Sequence, residues 1–235
     1  MENDDKPVGR ILPRREVITL LGLTGLALLS GQGRAATDTA LTCIASPEMT
    51  EGPYYVDEDL NRSDIRSDTR TGVVSEGTPL ELLLSVSTVG AGCTPLAGVV
   101  VEVWHCDALG VYSGVQDFNF GDSSGTNNLR GNQVTDEGGS VRFTTVYPGF
   151  YPGRAVHIHF KVLTPDGFEF TSQLFFEDAF SDEVFAAEPY ASQGQRDMQN
   201  SDDGIFSGGG EQMIMTARQT PTGYVATCDI GLYTA

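Results

Sequence analysis

Short runs of apolar and β-branched residues, separated by turn clusters, occupy the chain from residue 80 onward. Turn-forming sequences such as Asp-Glu-Gly-Gly at 136–139 and Thr-Pro-Asp-Gly at 164–167 lie between them. Runs of this length, bounded by glycine and proline, are typical of strands. Seven strands at this spacing predict an all-β fold with a β-sandwich core. The predicted strands are residues 80–87, 99–104, 140–146, 155–163, 168–176, 212–217 and 224–232.

The remaining segments predict an arm and two long loops. Residues 36–77 are rich in Asp, Ser, Arg and Thr without periodicity, so we expect an extended N-terminal arm lying on a domain of residues 78–235. The loops 113–135 and 189–211 are polar and rich in glycine, and loops of this length in a compact domain are commonly functional. One short helix is predicted, over residues 182–187.

Residues 1–35 have the pattern of an export signal. Arg14 and Arg15 precede an apolar run over residues 17–30, and small residues follow at 33–35, where a signal peptidase cleaves. The run is too short to span a bilayer. The paired arginines resemble a twin-arginine signal, with an ordinary secretory signal or an uncleaved anchor as alternatives. We therefore expect a periplasmic or extracellular protein that is not bound to a membrane once the signal is removed.

The chain is strongly acidic, with a formal net charge of -18. Nucleic acid and anionic membrane surfaces are therefore poor candidates for partners. The excess of acidic residues is interpreted as a solvated, soluble surface.

Four cysteines, an even number in an exported protein, suggest two disulfides. Cys93 and Cys106 flank a predicted strand, whose two ends are too far apart to be bridged. Of the two connectivities that remain, we favour Cys43 with Cys106 and Cys93 with Cys228. Free buried thiols are the alternative, because cysteine packs well as a small hydrophobic residue.

The chain has three histidines, and two of them form the sequence His157-Ile158-His159 inside a predicted strand. Residues i and i+2 of a strand point to the same face, so both side chains can bind one metal ion. A pair of hydrogen-bonded core histidines is the alternative. The third, His105, is out of phase with Trp104 and is expected to be a supporting or surface residue rather than a further ligand.

The loop before these histidines carries a tyrosine in a rigid setting, Pro148-Gly-Phe-Tyr151-Pro-Gly-Arg154. Its prolines and glycines fix a tight turn that directs an aromatic side chain back toward the histidines. The run from Pro148 to His159 resembles the iron-binding signature of the intradiol ring-cleavage dioxygenases, in which an arginine stands three residues before His-x-His.

Three further blocks match this family in order, over roughly residues 48–178, and several ordered blocks are more specific than one motif. Residues 101–112, ending Gly110-x-Tyr112, are similar to the strand and turn that present the second tyrosine ligand. Residues 172–177 resemble the strand with an active-site glutamine, here Gln173. Residues 51–55 resemble the segment bordering the substrate pocket, here Pro53 and Tyr54, although packing of the arm is an equal interpretation.

The resemblance implies a non-haem Fe(III) enzyme that cleaves a catechol with O2 to a muconate-type diacid. Two phenolates and two imidazoles suit ferric iron. The implied ligands are Tyr112, Tyr151, His157 and His159. Tyr151 would also act as a base, Arg154 would bind substrate and stabilise developing charge, and Gln173 would donate a hydrogen bond.

The sequence departs from the family pattern in two places, which concern the oligomeric state and the lining of the substrate pocket. It lacks the N-terminal helical region through which the catechol-type enzymes dimerise, so the choice between a monomer and a homo-oligomer stays open. It also has His105-Cys106 where better-known members have an amide and a small residue. The competing hypotheses are a catalytically inactive β-sandwich binding module of the same fold and a zinc or copper site that uses the same histidines.

Overall fold

The structure, a computed structural model, describes residues 43–90, 92–118 and 120–233. The predicted export signal lies outside these residues. The described residues contain one α-helix, α1 (Asp178–Phe185), and the strands β1 (Pro79–Thr88), β2 (Thr94–Pro95), β3 (Val100–Trp104), β4 (Gln116–Asp117), β5 (Gly121–Asp122), β6 (Arg130–Val134), β7 (Ser140–Val146), β8 (His157–Leu163), β9 (Glu169–Phe175), β10 (Thr216–Thr220) and β11 (Gly223–Leu232).

The strands form two main sheets, which confirms the predicted all-β sandwich. In the five-stranded sheet, β1 pairs in parallel with β11 and antiparallel with β7 and β2, and β10 extends the sheet beyond β11. The four-stranded sheet has the order β6-β3-β8-β9 and is antiparallel throughout. Strands β4 and β5 form a separate short hairpin. One apolar core contains side chains from both main sheets.

The five-stranded sheet shows the alternation that its sequence predicts. Leu80, Leu82, Leu84 and Val86 of β1 are buried, whereas the residues between them are partly exposed. Successive side chains of a strand point to opposite faces, so one face packs into the core and the other meets solvent.

The four-stranded sheet is largely buried on both faces. On β8, Ile158, Phe160 and Val162 enter the apolar core, and alternation directs His157 and His159 to the opposite face. These histidines are also buried, at 2% and 1% exposure.

The covering layer over that second face is the segment before β1. It begins beside β11, where Ser46 donates a backbone hydrogen bond to Gly231 at 2.9 Å. It then crosses the outer face of the four-stranded sheet, and hydrogen bonds and one ion pair hold it there. The contacts with β9, β8, β3 and β6 are, in chain order, Met49 with Thr171, Glu51 with Lys161, Tyr55 with Glu102, and Arg62 with Asn132.

Three predicted boundaries are wrong. The loop 113–135 contains β4, β5 and β6. The strand β6 was missed because its sequence, Arg-Gly-Asn-Gln-Val, is polar; the arm lies over it and forms hydrogen bonds with Asn132. The strand predicted at 212–217 starts only at Thr216, after a 3-10 turn over Gly210–Met213. The helix α1 is earlier than predicted, at Asp178–Phe185. Within the described residues, no helix is long and apolar enough to cross a membrane.

The predicted disulfide pairing is also wrong. Cys43 pairs with Cys93, and both Cys106 and Cys228 are free. Cys106 follows β3 and packs with Tyr112 and Tyr151, far in the fold from the arm's first residues beside β11. The alternative of free thiols therefore applies to two of the four cysteines.

His105 links the two sheets and is buried, so the surface interpretation is wrong. Its Nδ1 lies 2.7 Å from the Cys106 carbonyl oxygen and its Nε2 lies 2.7 Å from the Thr145 hydroxyl. Because a carbonyl only accepts, Nδ1 carries the proton and Nε2 accepts from Thr145. Burial lowers the pKa of His105 to about 4.

Candidate metal centre

Two histidines at the start of β8 bring their Nε2 atoms together. His157 and His159 point to the outer face of the four-stranded sheet, and their Nε2 atoms are 3.0 Å apart. The Nδ1 of His157 donates to the Ala155 carbonyl at 2.6 Å. This bond fixes the tautomer, so that the Nε2 of His157 presents a lone pair, as metal-binding histidines do.

Tyr151 reaches the same nitrogen from the turn before β8. Its hydroxyl oxygen is 3.1 Å from the Nε2 of His157. The turn is held from the other side, because Gly149 donates its backbone N–H to the Asp107 carbonyl at 2.9 Å. Asp107 lies in the turn that follows β3, so the two turns that carry Tyr112 and Tyr151 are joined by a backbone hydrogen bond.

Tyr112 completes the group from the turn after β3. Its hydroxyl oxygen is 3.5 Å from the Nε2 of His157. Gly110 has a φ of +82°, and a Cβ at this position would lie 2.3 Å from the Phe150 carbonyl oxygen. Only glycine allows the two turns to approach this closely, which explains the glycine of the Gly-x-Tyr sequence.

The four side chains form a buried, neutral cluster of donors. Burial, with a contribution from the charge of Arg154, holds the pKa of His157 well below its usual range. Burial and the neighbouring His157 do the same for His159. Burial raises the pKa of Tyr151 to about 12, although Arg154 lowers it, and burial also holds the pKa of Tyr112 well above its usual range. Such phenols ionise at neutral pH only beside a strong cation.

This donor set fits a ferric ion. Donors about 2.1 Å from one ion are separated by roughly 3–3.5 Å, the separation of the other three donor atoms from the Nε2 of His157. Among the described residues, no three His, Cys, Asp or Glu side chains form a group that could hold a metal. The set is therefore two imidazoles and two phenols, which suits a trivalent cation better than the usual zinc ligands.

Arg154 and Gln173 border the cluster. The Nη2 of Arg154 donates to the Oε1 of Gln173 at 2.5 Å, and its Nη1 is 3.4 Å from the Nε2 of His157. Gln173 pairs with His159 in the register of β8 and β9, and its amide donates to the Thr50 carbonyl at 2.9 Å. The structure thus brings both predicted residues to the candidate site.

The arm supplies one wall of the site. Tyr54 stacks on Tyr112 with ring centroids 4.4 Å apart and donates a hydrogen bond to Asp117 at 2.6 Å. Pro53, the other predicted pocket residue, is exposed. Gly52 lies against the His159 ring, where an added Cβ would be 3.4 Å from the ring.

Two further residues shape the site without having been assigned a role from the sequence. Trp104 stacks on His159, with ring centroids 5.0 Å apart and planes at 7°. Asp203 accepts a hydrogen bond from the Nε of Arg154 at 2.9 Å. The sequence could have suggested Trp104, because it lies in a predicted strand, and the structure places it opposite His159 in register. For Asp203 the sequence offered only the unusual length of its loop.

Comparison with known proteins places the chain among dioxygenases. The dioxygenase family model Dioxygenase_C matches residues 50–213. Chlorocatechol 1,2-dioxygenase of Pseudomonas putida is 36% identical over an alignment of 101 residues, and the match covers 35% of this chain and 36% of that enzyme. The protocatechuate 3,4-dioxygenase beta chain of Burkholderia cepacia is 32% identical over 121 residues, 47% of this chain and 50% of that one. The aligned regions therefore span half or less of these curated relatives.

Solved structures extend the likeness to most of the chain. An intradiol ring-cleavage dioxygenase from Tetranychus urticae is 31% identical, with a TM-score of 0.72 over 81% of this chain and 95% of that one. The dioxygenase domain of a dioxygenase and carbohydrate-binding protein fusion from Streptomyces sp. SirexAA-E is 28% identical, with a TM-score of 0.58 over 82% and 100% of the two chains. The chain belongs to the intradiol ring-cleavage dioxygenase family.

Proposed function

We propose that this protein is an Fe(III)-dependent enzyme that cleaves a catechol-type aromatic with O2 to a cis,cis-muconate-type diacid. The observation that carries the proposal is the convergence of four buried donor atoms. The Nε2 of His157 lies 3.0, 3.1 and 3.5 Å from the donor atoms of His159, Tyr151 and Tyr112. The proposal extends to this chain the activity that the names of its relatives give to those proteins.

The proposed metal ligands are Tyr112, Tyr151, His157 and His159. When bound, a ferric ion supplies a Lewis acid that favours the dianion of a catechol and ionises the two phenols. Tyr151 would be the ligand that gives way to the substrate, and its phenolate oxygen would take a catechol proton as a general base. Tyr112 would act as a ligand only.

Arg154 would act on the substrate beside the metal, and Gln173 would support Arg154. The Nη1 of Arg154 faces the ligand cluster, so it can donate a hydrogen bond where negative charge develops on the substrate. Gln173 holds the adjacent Nη2. Tyr54 and Trp104 stack on two of the proposed ligands, Tyr112 and His159, and so support them. Tyr54 and the exposed Pro53 would border the bound substrate.

The experiment loads purified protein with iron and measures oxygen uptake and product with catechol, protocatechuate and hydroxyquinol. The expected result is one iron per chain, a visible phenolate-to-iron absorption, and consumption of one O2 for each diacid formed. Iron binding without oxygen uptake on any of the three would favour the inactive binding module. Tight zinc or copper binding in place of iron, by metal analysis, would favour the other alternative.

We also propose that the protein is exported. The arginine pair and apolar run within residues 1–35 support this location. In a bacterial host, changing Arg14 and Arg15 together to lysine should leave precursor in the cytoplasm if the signal is of the twin-arginine type. Unchanged periplasmic yield would favour an ordinary secretory signal, and cytoplasmic retention of the unmodified chain would contradict export.

A further inference from the structure

Asp203 is a buried carboxylate beside the candidate metal centre. Its side chain is 1% exposed, and both of its oxygens have donors as partners. Oδ2 accepts from the Nε of Arg154 at 2.9 Å and from the amide of Ala155 at 2.8 Å. Oδ1 accepts from the amides of Ile205 and Phe206 at 2.7 and 3.2 Å. Four donors and no competing acceptor are the environment of an ionised carboxylate.

Hydrogen bonds hold two of the three guanidinium nitrogens of Arg154. Nε donates to Asp203, and Nη2 donates to Gln173 at 2.5 Å. Because the group is planar and rigid, these two bonds determine where the third nitrogen points. The remaining Nη1 faces the Nε2 of His157 at 3.4 Å. The orientation of Arg154 toward the ligand cluster therefore depends on Asp203.

The same carboxylate oxygen also fixes the backbone that leads into β8. The amide of Ala155 donates to Oδ2 of Asp203, and the carbonyl of Ala155 accepts from the Nδ1 of His157. One carboxylate thus determines the position of Arg154 relative to His157.

We propose that Asp203 is a positioning residue for the cleavage reaction, one that directs the Nη1 of Arg154 at the bound substrate and neutralises the guanidinium. Arg154 then acts as an oriented hydrogen-bond donor and not as a mobile cation. This inference rests on the proposed function. It also assigns a role to the long loop 189–211, which carries Asp203 to the site.

The test compares Asp203→Asn with a matched control, Asp68→Asn. Asp68 is also buried, at 3% exposure, and also accepts backbone N–H bonds, from Arg70, Thr71 and Asn127. Asp203→Asn should keep one iron per chain and lower kcat roughly 10- to 100-fold, with a smaller change in KM. Asp68→Asn should leave kcat unchanged. Asp203→Glu, which restores the charge, should recover part of the loss.

A double-mutant cycle separates positioning from general structural support. If Asp203 acts through Arg154, then Asp203→Asn should lower kcat no further in an Arg154→Gln background. Additive losses would overturn the proposal. So would loss of iron in Asp203→Asn, or an equal loss of kcat in Asp68→Asn.

A readout without turnover distinguishes failure of this proposal from failure of the proposed function. In the full chain, measured with and without the diamagnetic ion Ga³⁺, the Nε–H of Arg154 should give a 15N–1H resonance protected from solvent exchange. The resonance should be lost in Asp203→Asn and kept in Asp68→Asn. If iron-loaded protein is inactive on every catechol but this pattern holds, the proposed function fails and the positioning of Arg154 stands. An unprotected Nε–H in the unmutated chain would overturn the positioning, even if Asp203→Asn does not fold.

Discussion

The two sheets of the sandwich use their outer faces differently. In the five-stranded sheet the outer face meets solvent, and its charges pair there, as Arg142 of β7 does with Glu81 of β1 at 2.5 Å. In the four-stranded sheet the outer face is covered by the arm, and most of its polar residues are buried. Arg142 is 62% exposed, whereas the side chain of Lys161 on β8 is 8% exposed and pairs with Glu51 of the arm.

The covered outer face explains why the candidate site lies on the four-stranded sheet and not on the five-stranded one. A polar group that faces water needs no special partner, but a buried one must find donors or acceptors in the protein. On the four-stranded sheet the imidazoles, phenols and guanidinium meet one another away from water, where charges interact strongly and where the proposed metal ion would be held. The covering arm therefore encloses the candidate site as well as packing on the sheet.

The largest expected effect separates the two faces of β8. His157→Ala or His159→Ala should abolish iron binding and visible colour, because each removes one donor from the outer face. Ile158→Val, on the core face between them, should keep the iron and cost about 1 kcal/mol of stability. Metal analysis and absorption spectra provide the measurement. Stoichiometric iron in both histidine variants would refute the ligand assignment.

The next effect separates the two tyrosines. Tyr151→Phe should slow catechol binding and turnover strongly, because it removes the proposed departing base, while its substrate-bound spectrum stays similar to that of the unmutated protein. Tyr112→Phe removes the phenolate that is proposed to stay bound and should shift that spectrum. Stopped-flow absorption with catechol records both properties. The reverse pattern of spectra would show that the two roles are exchanged.

A smaller effect compares the core with the layer under the arm. Phe160→Ala, at a fully buried core position, should lower the free energy of unfolding by about 3–5 kcal/mol. Lys161→Met loses the ion pair with Glu51 and the contact with the Tyr55 ring, but Glu51 can be rehydrated, so we expect about 1–2 kcal/mol. Urea denaturation measures both. Equal losses would mean that the arm is as essential to stability as the core.

The last effect appears only at acidic pH and concerns His105, which joins the two sheets. Its folded pKa of about 4 lies below the unfolded value of about 6.5, so the unfolded chain takes up the proton first as pH falls. The contribution of neutral, buried His105 to the free energy of unfolding is complete above pH 6.5 and is lost as the pH falls from 6.5 to 4. The loss is on the order of 2 kcal/mol by pH 5. His105→Gln should remove that part of the pH dependence. Parallel stability curves for both proteins would contradict the prediction.

The sequence by itself determined the fold class and the four candidate ligands. The alternation of β1 and the spacing of His157 and His159 depend on the local period of a strand, which is the same in every sheet. Tyr151 stands in a turn that glycine and proline impose, and Tyr112 was assigned through the resemblance of Gly110-x-Tyr112 to the family's motif. Each of these signals lies within a few consecutive residues, so no knowledge of distant contacts was needed.

Only the tertiary structure decided which distant segments meet. The pairing of Cys43 with Cys93, the burial of the polar strand β6 under the arm and the ion pair of Asp203 with Arg154 each join residues far apart in sequence. No local pattern encodes such contacts, because they depend on how the arm and loops pack on the sheet. Asp203 resembles any other loop carboxylate in the sequence, and its partner becomes apparent only when the loop 189–211 is placed against β8.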